Sequence, residues 1–156
     1  MKHNSVLVNS IDGPKELLLN EVTISVDKTT HQCKALLDMV SQVPTILLDR
    51  AVKWNLQINP SSSTIKTVTG IEKVCGVTDY LEIIVHGRSC DLPFYVLENN
   101  NGYDMILGLP WFVGNNAGTR IQDGLSILQF GSESIILDTW RTKFIRVRSN
   151  RRHRII

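Results

Sequence analysis

Eight short runs rich in Val, Ile and Thr, each cut off by a polar or glycine-containing turn, do most to limit what this chain can fold into. They cover residues 21–26, 33–37, 65–69, 74–77, 81–86, 92–97, 127–130 and 134–137. β-Branched side chains are stiff at χ1 and fit a pleated, half-buried surface better than a helix. The sequence as a whole leans the same way, since Val, Ile and Thr supply 41 residues and Ala only three. Neighbouring runs joined by turns such as HGRS and FGSES read as hairpins. The chain is expected to be all-β, with two exceptions. Residues 45–56 place Ile46, Leu47, Val52 and Leu56 on one helical face, and residues 109–113 start a short helix after Gly108. Residues 59–64 (NPSSST) and 99–102 (NNNG) read as polar loops.

A length of 156 residues suits one domain able to bury a core without disulfide or metal support. No apolar run approaches the ~20 residues that cross a bilayer. The N-terminus lacks the apolar stretch and cleavage site of a secretory signal, so an intracellular location in cytoplasm or nucleus, without a membrane, is expected. Cys33, Cys75 and Cys90 are odd in number and form no CxxC pair, which predicts reduced, mostly buried thiols. His3, His31, His86 and His153 are scattered, so neither a metal site nor a cofactor is expected.

The net charge of +2 is unevenly spread. Residues 141–156 hold seven of the 17 Lys and Arg and no acid, leaving 10 basic against 15 acidic side chains in the body. A basic tail can hold nucleic acid by neutralising phosphates. The acidic body and an aromatic content of 6% weigh against that reading, because single strands are bound by stacking on aromatic rings.

Chemistry is suggested at two places. The apolar run at residues 34–37 ends in Asp38, an acid desolvated on one side, which is a setting for general acid–base work and also for a turn-capping carboxylate. In DMILGLPWF, residues 104–112, an apolar strand runs into Gly108 and a helix start carrying Pro110. Asp49, in LLDRAV, mimics Asp38 locally but reads as an exposed first-turn carboxylate. Asp104 reads as a cap at the strand entry, Trp54 and Trp111 as core anchors, and Trp140 as either packing or part of a binding surface with the tail.

The ordered set ALLD (35–38), TILLDRAVKWNLQI (45–58), Thr69 with Gly70, VCG (74–76), LEIIVHG (81–87), FYVLE (94–98), DMILGLPWF and IQDGLSILQF resembles the retropepsin-like aspartic proteases of long-terminal-repeat retrotransposons. The resemblance covers roughly residues 20–137. It implies a retropepsin-like acid protease barrel with one or two short helices, one lobe per chain, paired as a two-fold homodimer. The implied organisation is an N-terminal extension (1–19), the domain (20–140) and the basic tail (141–156). Asp38 is the implied catalytic residue. Met39, Val40 and Ser41 of its loop, with Val68, Thr69, Gly70 and Ile71 of a flap at residues 65–76, are the implied substrate-binding positions, and a peptide or polyprotein is the implied substrate. Family loops read D-T/S-G-A/S, whereas this one reads Asp38-Met39-Val40-Ser41. Met39 lacks the hydroxyl that links two such loops, and Val40 adds bulk where the pattern has glycine and is expected to be strained if the loop needs a conformation open only to glycine. The expectation is therefore a peptidase with weak or lost activity. The alternatives are a non-catalytic dimerisation or peptide-binding module of the same fold, and a nucleic-acid-binding β domain acting through the tail.

Overall fold

The computed structural model describes residues 5–7, 19–67 and 70–139. The strands are β1 (Ser5–Leu7), β2 (Leu19–Val26), β3 (Thr29–Leu37), β4 (Thr45–Leu47), β5 (Ile58–Asn59), β6 (Thr64–Thr67), β7 (Gly70–Lys73), β8 (Gly76–Thr78), β9 (Leu81–Val85), β10 (Arg88–Leu92), β11 (Tyr95–Leu97), β12 (Met105–Leu107), β13 (Ala117–Gln122), β14 (Leu125–Phe130) and β15 (Glu133–Thr139). Two short helices are present, α1 (Leu48–Lys53) and α2 (Leu109–Gly114). Among the described residues the strands form a nine-stranded sheet in the order β10-β9-β2-β3-β12-β4-β11-β8-β5 and two three-stranded sheets, β1-β6-β7 and β13-β14-β15. No helix among them is long and apolar enough to cross a membrane.

Three two-residue turns set the hairpin registers. Asp27 and Lys28 (φ 47° and 68°), His86 and Gly87 (50° and 77°), and Asp123 and Gly124 (54° and 74°) all lie in the left-handed region. Such turns match the twist of the strands they join. They pair Val26 with Thr29, Val85 with Arg88 and Gln122 with Leu125. The β2 and β9 strands then alternate as half-buried strands should, with Val22, Ile24, Leu81, Ile83 and Val85 inward and Glu21 and Glu82 outward.

The middle of the sheet is buried on both faces. Ala35, Leu36 and Leu37 of β3 lie parallel and in register with Met105, Ile106 and Leu107 of β12, all six at most 1% exposed. Alternate side chains enter different cores. Ala35, Leu37, Met105 and Leu107 join the larger cluster around Phe94, Trp111 and Phe112, while Leu36 and Ile106 join a smaller one with Ile65, Val74 and Leu97. Trp111 meets Phe112 and Phe130 edge-on, at centroid distances of 5.0 and 5.9 Å, and Trp54 stacks on His31 at 5.2 Å. Both tryptophans are core anchors, as expected.

Several expectations need correction. Residues 45–56 are not one helix: Thr45 and Ile46 pair with β12, Thr45–Leu47 pairs with β11, and only Leu48–Lys53 is helical. The demand of buried backbone for sheet partners overrides the helical spacing, and Val52 is left 65% exposed. The run at 92–97 divides at Pro93, which has no N–H to donate to a ladder. The next amide, of Phe94, bonds instead to the Thr78 hydroxyl at 2.9 Å. The 99–102 loop buries Asn100, whose side-chain oxygen accepts from the Thr45 hydroxyl at 2.8 Å. The strands β1, β5, β7 and β13 had no counterpart among the eight runs, β10 meets them only at Leu92, and β4 and β12 lie in the segments read as a helix and as the apolar strand of DMILGLPWF; β1, inside the segment read as an extension, pairs with β6. Trp140 and the tail at residues 141–156 lie outside the described residues. All three cysteines are free, but Cys75 is exposed and the other two are half-buried.

Three outcomes test this packing. Replacing Phe94, which is fully buried, with Ala is expected to cost about 3–5 kcal/mol in urea unfolding. Val52→Ala, on the face that the helical reading turned inward, should change stability by less than about 0.5 kcal/mol. Burial, assisted by the Asp104 charge, pushes the Cys33 thiol up to about 12. At pH 8.5 iodoacetamide should therefore modify exposed Cys75 first and Cys33 only after denaturation, as peptide mass mapping would show; equal rates would contradict the packing of β3.

Candidate active site

Asp38 follows directly on β3, and it is 1% exposed. Its main-chain N–H donates to the Leu107 carbonyl at 3.1 Å, carrying the β3–β12 ladder one step beyond the strand. The chain then turns. The Ser41 N–H donates to the Asp38 carbonyl at 3.2 Å, and the Val40 N–H donates to the Asp38 carboxylate Oδ1 at 3.0 Å. A carboxylate that accepts from the amide two residues on makes an Asx-turn. This is the geometry of the turn-capping reading of Asp38.

Ser41 fastens this loop from beneath. Its carbonyl accepts the Leu109 N–H at 2.7 Å, and its hydroxyl donates to the Val43 carbonyl at 2.9 Å. Gly108 makes the approach possible, because a Cβ there would lie 2.6 Å from the Ser41 carbonyl oxygen and 2.7 Å from that of Val43. Its φ of −99° is open to any residue, so glycine serves here for space. The two segments singled out in the sequence therefore form one structure: a strand ending in an acid, bolted to a strand ending in a glycine.

The other expected site residues divide. Met39 and Val40 point outward, 38% and 39% exposed, whereas Ser41 is fully buried. The strain expected at Val40 does not arise, because its backbone stays out of the left-handed region. Gly70 and Ile71 lie exposed on β7, which pairs with β6 as a hairpin from Thr64↔Lys73 to Thr67↔Gly70. Val68 and Thr69 lie outside the described residues. What connects the hairpin to Asp38 is its base: Ile65 and Val74 pack in the same small core as Leu36 and Ile106. Asp49 is exposed in the first turn of α1, and Asp104 pairs with Arg50 at 3.2 Å while its carbonyl accepts the Leu47 N–H. Sequence reasoning missed Thr119 of β13, whose hydroxyl reaches the Met39 sulfur at 3.7 Å; no spacing marks it. Among the described residues no group of three His, Cys, Asp or Glu side chains could hold a metal ion.

No family model matches the sequence, and no curated protein matches it. Among solved structures, the retroviral protease-like domain of Ddi1 from Leishmania major superposes with a TM-score of 0.54 at 14% identity, covering 79% of this chain and 96% of that one. This chain has a retropepsin-like fold. The simian foamy virus protease matches at a TM-score of 0.40 and 22% identity, over 61% of this chain and 94% of its own, which adds nothing to the assignment.

The close approach at Gly108 can be tested directly. Gly108→Ala should lower unfolding stability by about 1–3 kcal/mol, since backbone carbonyls have to move, and should shift the amide resonances of Ser41 and Leu109. Gly118→Ala, where a Cβ meets nothing within 4 Å, should be close to neutral.

Proposed function

We propose that this chain supplies one lobe of a two-fold aspartic endopeptidase acting on extended peptides, of the kind carried in retrotransposon-type polyproteins, with a rate lowered by its altered loop. The observation behind the reading is Asp38: a buried carboxyl at a strand end, held by the Val40 amide and set against Gly108, on a retropepsin-like fold.

One lobe provides one carboxyl, and the chemistry needs two. When two copies of Asp38 face each other they cannot both ionise, so the pair holds one proton. The ionised member accepts a proton from a water whose oxygen attacks the scissile carbonyl carbon, and the protonated member donates to the carbonyl oxygen. Collapse of the tetrahedral species then breaks the C–N bond, with a proton going to the leaving amine. The β6–β7 hairpin would cover an extended peptide and exclude water, and main-chain hydrogen bonds would supply much of its affinity. Met39 offers no hydroxyl across the axis, so the loops are less firmly held. A looseness of about 1 Å costs on the order of a hundredfold in rate.

The exposure of Met39 and Val40 favours a second reading, in which the fold is kept as a non-catalytic dimerisation or peptide-binding module. Cleavage of a long flexible polypeptide at mildly acid pH separates the two. The unmodified chain should cut slowly and Asp38→Asn not at all, while the double variant Met39→Thr/Val40→Gly should cut about a hundredfold faster. Cleavage by the double variant alone would establish the second reading.

A further inference from the structure

The three arginines among the described residues are handled in two ways. Arg50 is ion-paired with Asp104 and Arg88 with Glu133, and the Arg88 guanidinium also lies 4.2 Å over the Phe130 ring. Arg120, on β13, has no acidic partner among the described residues. Its Nε donates to the Gln129 side-chain oxygen at 2.9 Å, and its Nη1 donates to that of Gln122. Two neutral amides fix the plane of a guanidinium without cancelling its charge, which a carboxylate would do. Those bonds leave donors at the Nη end unused.

An opening lies beside this cation. A cavity of about 430 Å³ is lined by Asn116, Gly118, Thr119, Arg120 and Gln129, among others. Gly118 and Arg120 fall on the same face of β13, and Gln129 stands opposite Gly118 in the register. With no side chain at 118 the space over the strand is clear, since a Cβ there would meet nothing within 4 Å. Thr119 also lines the cavity, although its side chain leaves β13 on the other face, where its hydroxyl touches Met39 of the Asp38 loop.

We infer that this cavity is a carboxylate subsite, in which Arg120 receives the acidic side chain of a bound peptide. The inference rests on the peptide-binding part of the proposed function and does not need cleavage. A planar carboxylate suits the fork of a guanidinium. Phosphate polymers suit the surroundings less, because residues 1–140 carry 15 acids against 10 Lys and Arg.

The test uses the full chain and a fluorescein-labelled decapeptide of Ala and Leu in which one Glu is walked through the ten positions, with a matching Gln series. Fluorescence anisotropy should show one register at which Glu binds about tenfold more tightly than Gln, as a bond between two charged groups provides. Arg120→Gln should remove that preference and leave the Gln peptide's affinity unchanged. Gly118→Leu, which fills the space without touching the charge, should also remove it, and thermal unfolding would check that both variants fold. In a second arm, N-acetylglutamate methylamide should shift the Arg120 Nε–H resonance saturably, and its glutamine analogue should not. Equal affinity for the Glu and Gln peptides at every register, or a preference that survives Arg120→Gln, would overturn the inference. So would displacement of the Glu peptide by inorganic phosphate at lower concentration than by N-acetylglutamate methylamide. An Arg120-dependent preference in a chain that cuts nothing would uphold this subsite and reject the peptidase.

Discussion

The parallel pairing of the end of β3 with β12 is the constraint on which the remaining structure depends. Parallel neighbours cannot be joined by a tight turn, so everything from residue 39 to residue 104 is in effect one long crossover. That crossover contributes β4 to the other side of β12, and β11 and β8 beyond it. The strands at the centre are only three residues long where they meet, yet all are buried, and their amides and carbonyls find partners in one another. Asp38 inherits its position from this ladder rather than from its own side chain, because its amide is the next rung.

The same point explains how the loop tolerates Met39 and Val40. Asp38 and Ser41 are held by main-chain groups: the Leu107 carbonyl, the Val40 and Leu109 amides and the Val43 carbonyl. None of these depends on which side chains occupy the two outward positions. The backbone frame of the loop is thus separate from its outward chemistry.

How far the sequence foretold this varies from element to element. The hairpins were legible because β-branched runs alternate with short turn signals, as around His86 and Gly87. The short helix after Gly108 and the acid at the end of an apolar run were equally visible, and their order suggested the fold. What could not be read was tertiary. Thr45–Leu47 has helical spacing and becomes a strand because two buried neighbours require it. Gly118 and Arg120 belong to β13, half-exposed and rich in polar residues, with little of the β-branched signal that marked the other strands. The role of Gly108 lies in a distance to Ser41, sixty-seven positions earlier in the chain, which no local pattern records. Arg120, likewise, differs from Arg50 and Arg88 in having no acidic partner among the described residues.

Alternation of the central side chains between two cores has a consequence for how such a chain can change over time. Leu36 serves the small cluster, and its neighbours Ala35 and Leu37 serve the large one, with Ile106 and its neighbours following the same rule. Swapping one aliphatic residue for another leaves this phase intact. Deleting or inserting a single codon between the turn at residues 27–28 and Asp38 does not: every inner side chain then faces the opposite compartment, and the acid slips off its rung. The spacing of that stretch is therefore held more tightly than its spelling, and descendants of this chain should diverge in letters there long before they diverge in length.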